Sequence, residues 1–163
     1  MRNRQFLSAL LFALALALQT TLALSQKLTV QTEGGKQTVL ARADIEALPH
    51  VKVTTATSGV PATFEGVPLR AVLEKAGVGF GETMKGKRMA SCLLVEAADD
   101  YRVVIALPEL DPRFTDKQLI LAFLRDGKPL DDKEGPYRIV IPDEKRMARW
   151  VRQVTTLKIV DVQ

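Results

Sequence analysis

The stretch that decides the fold is LILAFLRDGKPLDDKEGPYRIVIPDE, residues 119–144. Its first part is a nearly continuous apolar run, which predicts a buried strand. Asp126-Gly127 follows this run, and that dipeptide strongly favours a tight hairpin turn. After a polar connection, YRIVIP begins a second strand. The stretch therefore predicts strands joined by short turns, and hence antiparallel pairing.

The rest of the chain shows the same short strands, interrupted by two helical patterns. One helix is predicted within ARADIEALPH and a clearer one within PLRAVLEKAGV, where Gly77 suits the C-terminal cap. Short turns between neighbouring strands indicate an α+β fold with mixed, largely antiparallel β-sheets and a few short helices. The other predicted strands are KLTVQT, KQTVLA, VKVTTAT, the two halves of SCLLVEAADDYRVVIAL, and VTTLKIVDV.

The N-terminus predicts a signal peptide. Two arginines precede an uncharged stretch whose apolar heart, Phe6–Leu18, has the length of a signal-peptide core and is short for a bilayer span. Small residues at Ala23 and Ser25 suit a cleavage site, so we expect a signal peptide over residues 1–25, cut before Gln26. The alternative is an uncleaved membrane anchor.

The mature chain, residues 26–163, is expected to be one domain of nearly neutral charge. The sequence has 23 basic and 19 acidic residues, and the predicted signal peptide carries two of the arginines. The remaining ~138 residues can bury one core but not two. A single cysteine cannot form an internal disulfide. No lysine–arginine run predicts nucleic-acid binding, and no stable membrane span is expected after cleavage.

Four segments carry a resemblance to a known family: residues 64–78 (FEGVPLRAVLEKAGV), 99–111 (DDYRVVIALPELD), 119–144, and 149–159 (RWVRQVTTLKI). In order and spacing, over roughly residues 50–162, they resemble the oxidoreductase molybdopterin-binding domain, the fold of sulfite oxidase and its bacterial relatives. The resemblance implies an α+β fold with mixed sheets, a ligand cleft on one side, and molybdopterin as the cofactor.

The resemblance also implies a metal ligand that this sequence lacks. In catalytic members a cysteine thiolate holds the molybdenum, and soft sulfur suits such a metal. That cysteine follows the strand before the helix, but the corresponding residues 51–69 (VKVTTATSGVPATFEGVPL) contain none. We expect Cys92, in an apolar strand, to be a core thiol, with a metal ligand as the alternative. The only histidine, His50, has no accompanying metal-binding cluster and is expected to be a surface or packing residue.

The signal peptide bears on the cofactor as well. Family enzymes that receive their cofactor in the cytoplasm are exported folded and generally carry adjacent twin arginines. Arg2-Asn3-Arg4 lacks that pair, so we expect the chain to cross the membrane unfolded and to be periplasmic or secreted. We therefore expect no metal and no cofactor, whereas the resemblance keeps molybdopterin as the alternative.

A basic cluster surrounds the only tryptophan. The resemblance implies that basic side chains in this last third of the domain hold the pterin phosphate and the substrate anion, and arginine suits oxyanions well. Strand alternation predicts that Arg138 projects to solvent while Ile139 and Ile141 pack the core. One helical turn would place Arg146 and Arg149 on one face. The candidate ligand-binding residues are Arg138, Lys145, Arg146, Arg149 and Trp150.

These residues can also have purely structural roles. The basic cluster can be a solvated loop that Asp143 and Glu144 partly neutralise, with Trp150 packed in the core. Asp99 and Asp100 can be a carboxylate pair for acid–base work, but adjacent aspartates more often make a turn. The chain has no histidine-based nucleophilic arrangement, so no catalytic residue is predicted.

Two functions are consistent with these observations. The first is a non-catalytic binding module of the molybdopterin-binding fold, which binds a small anionic ligand or another exported protein. The second is a molybdopterin-dependent oxidoreductase, or a subunit of one, which holds its cofactor through basic side chains alone. The fold alone does not choose between them, because one fold can host many functions. The missing cysteine and the missing twin arginines favour the first.

Overall fold

The computed structural model describes residues 26–57, 60–142 and 144–161. Within these residues, ten strands form two five-stranded sheets, accompanied by two short α-helices and several single 3-10 turns. The predicted signal peptide, residues 1–25, and Asp143 lie outside the described residues. No helix in the described part of the chain is long and apolar enough to cross a membrane.

The helices and strands are numbered here in chain order. The helices are α1 (Arg42–Glu46) and α2 (Leu69–Lys75). The strands are β1 (Lys27–Gln31), β2 (Gln37–Ala41), β3 (Val51–Thr57), β4 (Val60–Pro68), β5 (Cys92–Ala97), β6 (Arg102–Ala106), β7 (Ile120–Arg125), β8 (Lys128–Pro129), β9 (Arg138–Val140) and β10 (Val154–Val160).

The first sheet has the strand order β2-β1-β10-β5-β6. Its strands pair antiparallel except for β1 and β10, which run parallel, with Thr29 opposite Thr156. This parallel pair joins the first and last strands of the domain. The strands alternate apolar and polar residues, as a sheet with one covered face requires. The buried side chains on its inner face include Leu28, Val30, Leu93, Val95, Ile105, Leu157 and Ile159.

The second sheet is built around β7, the buried strand predicted within residues 119–144. β4 pairs with one edge of β7 and, on its own other edge, with β3. On the other edge of β7, β9 pairs with residues 120–122 and β8 with Leu124 and Arg125. The first four residues of β7 are all buried. Asp126 (φ 50°) and Gly127 (φ 76°) form the predicted turn into β8, with the left-handed backbone such turns need.

The two helices pack against the sheets, α1 against β2 and β4, and α2 against β4 and β7. α2 buries Leu69, Val72 and Leu73, and it ends before Gly77, the predicted C-terminal cap, whose φ is 97°. α1 buries Ile45. The predicted fold class, α+β with mixed, largely antiparallel sheets and a few short helices, is therefore confirmed.

The longest described strand, β4, was not predicted from the sequence. Pro61, Gly66 and Pro68 fall within it, and such residues normally argue against a strand interior. Gly66 lies at a β-bulge, where the register between β4 and β7 shifts after Glu65. At this bulge the backbones approach closely, so that a Cβ on Gly66 would lie 2.1 Å from the Leu121 carbonyl oxygen.

We expect Gly66→Ala to be among the most destabilising substitutions in the chain. The added methyl group would collide with backbone that cannot move without breaking the β4–β7 ladder, so the free energy of unfolding should fall by at least about 4 kcal/mol. Urea unfolding followed by circular dichroism measures this. The control is Gly127→Ala, where a Cβ meets nothing and only the left-handed φ costs about 1–2 kcal/mol. Equal losses in both variants would contradict the steric explanation.

Candidate functional site

Arg138 lies in the core. The residue is 5% exposed, and all three residues of β9 are buried. The prediction that Arg138 projects to solvent is therefore wrong. Strand alternation places Arg138 and Ile139 on opposite faces, as expected, but here both faces of β9 are covered. Aromatic side chains from β4 and from the segment before β10 cover the Arg138 side.

Two aromatic rings flank the Arg138 guanidinium. Its Cζ atom lies 5.3 Å from the centroid of the Phe64 ring and 5.6 Å from that of the Trp150 ring. The two rings meet edge to face, with centroids 5.9 Å apart and an interplanar angle of 87°. Such cation–π contacts gain strength when the cation is desolvated. The expectation that Trp150 packs in the core is confirmed, because Trp150 is 4% exposed.

One carboxylate neutralises this buried cation. Glu134 Oε1 accepts hydrogen bonds from Arg138 Nη1 at 2.5 Å and from Arg125 Nη1 at 3.0 Å. Burial lowers the pKa of the Arg138 guanidinium, and the nearby Glu134 carboxylate opposes that change. An arginine keeps its charge under ordinary conditions, so the protein holds a buried ion pair here. Glu134 was not singled out from the sequence.

Two other polar atoms of this cluster are closed to ligands. The Arg138 Nε and Trp150 Nε1 groups are buried, and no hydrogen-bond acceptor in the structure contacts them. No solvent reaches either atom, so a ligand cannot bind to them without displacing packed side chains. In this arrangement Arg138 and Trp150 serve the packing of the domain.

Arg149 is also engaged with carboxylates. Its Nε donates to Glu144 Oε1 at 2.7 Å, and its Nη1 lies 3.4 Å from Glu109 Oε1. Burial lowers the pKa of Arg149, but hydrogen bonds to Glu144 and Glu109 outweigh that effect and raise it. The prediction that local acids neutralise part of the basic cluster is confirmed for Glu144. The role expected of Asp143 falls outside the described residues.

Lys145 and Arg146 are exposed, and a 3-10 turn over Met147–Arg149 takes the place of the predicted helical turn. Arg138 and Arg149 are tied to carboxylates in different segments, Glu134 for the first and Glu144 with Glu109 for the second. The structure therefore does not present Arg138, Arg146 and Arg149 as three free guanidinium groups around one cleft. Anion binding by the candidate residues stays a prediction.

A shallow depression of about 220 Å³ lies beside Trp150, where the β5–β6 turn meets the segment before β10. Its lining includes the half-exposed Tyr101, whose hydroxyl donates to the Ala148 carbonyl oxygen at 2.7 Å, and the exposed Arg152. That hydrogen bond fixes the tyrosine ring at the surface. Neither Tyr101 nor Arg152 was predicted as a site residue. The sequence feature that marks this position is Asp99-Asp100-Tyr101, but only its two carboxylates were considered as a candidate site.

The two aspartates form a turn, which was the predicted alternative to a catalytic carboxylate pair. Asp100 has a φ of 65°, and Asp99 Oδ1 accepts a hydrogen bond from the Tyr101 backbone N–H at 3.1 Å. Both aspartates are exposed. His50 is exposed as well, and its ring nitrogens lie 3.2 Å from Glu65 Oε1 and 2.9 Å from the Glu46 carbonyl oxygen. The prediction that this histidine is a surface or packing residue is therefore confirmed.

Cys92 is half-buried rather than a core thiol, so that prediction is wrong. β5 is covered on one face, and the alternation that buries Leu93 and Val95 places Cys92 on the opposite face. An apolar run alone did not reveal which face is covered. Among residues 26–57, 60–142 and 144–161, no group of three or more His, Cys, Asp or Glu side chains could hold a metal.

The described residues do not fit a thiolate-held molybdenum. β3 and β4 form a continuous antiparallel hairpin that extends to the pair Thr57–Val60, so only residues 58 and 59 are left to connect the strands. The cysteine implied by the family resemblance would belong to this region, and the sequence has none there. Cys92, the only cysteine, lies in the other sheet.

Comparison with known proteins agrees with the fold. Residues 42–163 match the family described as the oxidoreductase molybdopterin binding domain, and the chain belongs to that family. The chain is similar to "Inducible nitrate reductase [NADH] 1" of Glycine max, with 32% identity over 111 residues, 61% of this chain and 12% of that relative. The chain thus spans only a small part of that enzyme.

The structure is also similar to the crystal structure of the sulfane dehydrogenase SoxCD from Paracoccus pantotrophus. The TM-score is 0.66, with 20% sequence identity over 86% of this chain and 39% of that chain. At this identity the likeness concerns the fold alone. The predicted resemblance to the sulfite oxidase-type molybdopterin-binding domain is confirmed.

Proposed function

We propose that this chain is a non-catalytic, exported binding module of the molybdopterin-binding family, which binds a small oxyanion at the depression beside Trp150. The observation that supports it most is the β3–β4 hairpin, which closes over two residues without the cysteine that a molybdenum centre of this family uses. We assign no reaction step, and the described residues contain no group of three or more His, Cys, Asp or Glu side chains that could hold a metal.

Three exposed cations supply the attraction for an anion. Arg152 lines the depression, while Lys145 and Arg146 immediately precede its wall residue Met147. Arg149, held by Glu144 and Glu109, fixes the intervening 3-10 turn and so positions these cations. Exposed cations bind weakly and are screened by salt, so the affinity should fall as ionic strength rises.

The alternative function is a molybdopterin-dependent oxidoreductase or a subunit of one. It is supported by the family assignment and by the resemblance to part of a nitrate reductase. The pterin would have to be held without a protein thiolate on the metal.

Elemental analysis separates the two functions. We expect protein purified from its native envelope fraction to contain no stoichiometric molybdenum, because no cysteine lies in the region of the β3–β4 hairpin. Mass spectrometry of the digested protein measures the metal-to-protein ratio. A ratio near one would favour the oxidoreductase and contradict the binding module.

The anion site is tested by the double variant Arg146→Gln/Arg152→Gln. Removing two charge-assisted contacts should weaken sulfate and phosphate binding by about tenfold or more. Stability should change by no more than about 0.5 kcal/mol, because exposed charges contribute little to folding. Chemical-shift titration by NMR measures the affinity, and thermal unfolding measures stability.

The matched control is Lys85→Gln/Lys87→Gln, which removes two exposed charges from a different 3-10 turn. This variant should keep the wild-type affinity. If both double variants lose affinity equally, the anion responds only to net charge and the proposed site is wrong.

A further inference from the structure

Two guanidinium groups meet on one carboxylate oxygen beneath the β7–β8 hairpin. Arg125 Nη1 and Arg138 Nη1 both donate to Glu134 Oε1, at 3.0 Å and 2.5 Å. Both arginines also contact the ring of Phe64, at 5.6 Å and 5.3 Å from its centroid. Two planar guanidinium groups aimed at one oxygen form an arrangement that recognises oxyanions.

The buried Arg138 guanidinium needs a negative charge beside it. Arg138 is buried, and burial of an unpaired charge is strongly unfavourable. In the described part of the chain, Glu134 is the carboxylate that forms an ion pair with Arg138. Arg125 has a second, longer contact with Asp126 at 3.8 Å, but Arg138 depends on Glu134.

The carboxylate comes from a loop. Glu134 lies between β8 and β9, and its backbone N–H donates to Asp131 Oδ1 at 2.9 Å and to the Asp131 carbonyl oxygen at 3.1 Å. The Asp131 turn therefore places Glu134 next to two arginines that belong to neighbouring strands of the sheet. The cationic part is held by the sheet, and the anionic part is held by the loop.

The anion position is also close to solvent. Glu134 and Arg125 line an open depression of about 350 Å³, together with Asp126, Lys128, Pro129, Leu130 and Asp131. An anion smaller than a glutamate side chain could therefore reach the two arginines if Glu134 were absent. This depression is separate from the one beside Trp150, since the two share no lining residue.

We propose that Arg125 and Arg138 form an oxyanion-binding site and that the chain's own Glu134 is its ligand. The intact protein is then closed to external anions here, whereas a chain without the Glu134 carboxylate accepts a small oxyanion such as formate or sulfate. This inference does not depend on the proposed function, because it concerns a different depression and an internal ligand.

The experiment is a thermal-unfolding titration of Glu134→Ala at low ionic strength. The variant should melt below the wild type, and added sodium formate or sodium sulfate should restore its Tm saturably. Sodium chloride at equal ionic strength should restore much less. The wild type and the control Glu46→Ala, which removes a surface carboxylate paired with Arg42, should respond to formate only as they respond to chloride.

A second variant keeps the test decisive. In Glu134→Ala/Arg125→Gln half of the site is removed, and the rescue by formate should weaken at least several-fold. If Glu134→Ala does not fold, Glu134→Ser, which also removes the carboxylate and leaves its space open, is titrated in the same way. An unchanged Tm in Glu134→Ala, or a rescue no larger than that by chloride in whichever variant folds, would overturn the proposal.

Discussion

The buried positive charge of Arg138 is the constraint around which the second half of the domain is arranged. An isolated cation in a protein interior costs several kcal/mol, so the surrounding residues must offset it. Glu134 supplies the opposite charge, and the rings of Phe64 and Trp150 supply favourable π contacts. These partners come from a loop, from β4 and from the segment before β10. One side chain therefore joins parts of the chain that are far apart in sequence.

Tyr137, the residue before Arg138, connects this arrangement to the first sheet. Tyr137 is completely buried, and burial raises the pKa of its hydroxyl to about 12. That hydroxyl lies 3.4 Å from the carbonyl oxygen of Gln26, immediately before β1. Tyr137 thus links the segment that holds Arg138 to the start of the first sheet. The anion site that we propose uses other charges, which are exposed at or near the depression beside Trp150.

Local signals predicted much of this fold. The Asp126-Gly127 and Asp99-Asp100 turns, the buried strand β7 and the end of α2 at Gly77 all depend on residues close together in sequence. β4 escaped prediction because its two prolines and a glycine argue against a strand, although the bulge at Gly66 and the pairing with β7 accommodate them. The site was harder to predict, because the environments of Arg138 and Cys92 depend on which sheet faces are covered. For Arg138 the covering residues include Phe64, which is distant in sequence.

The central claim is that the Arg138 guanidinium is held permanently by Glu134 inside the protein. NMR observation of arginine Nε–H groups tests it most directly, because a buried guanidinium exchanges its protons with water slowly. We expect one resolved Nε–H signal, assigned to Arg138 by its loss in Arg138→Lys, that exchanges slowly and does not shift when sulfate is added. Rapid exchange, or a shift of that signal on sulfate addition, would contradict the account, since either would mean that solvent or an external anion reaches Arg138.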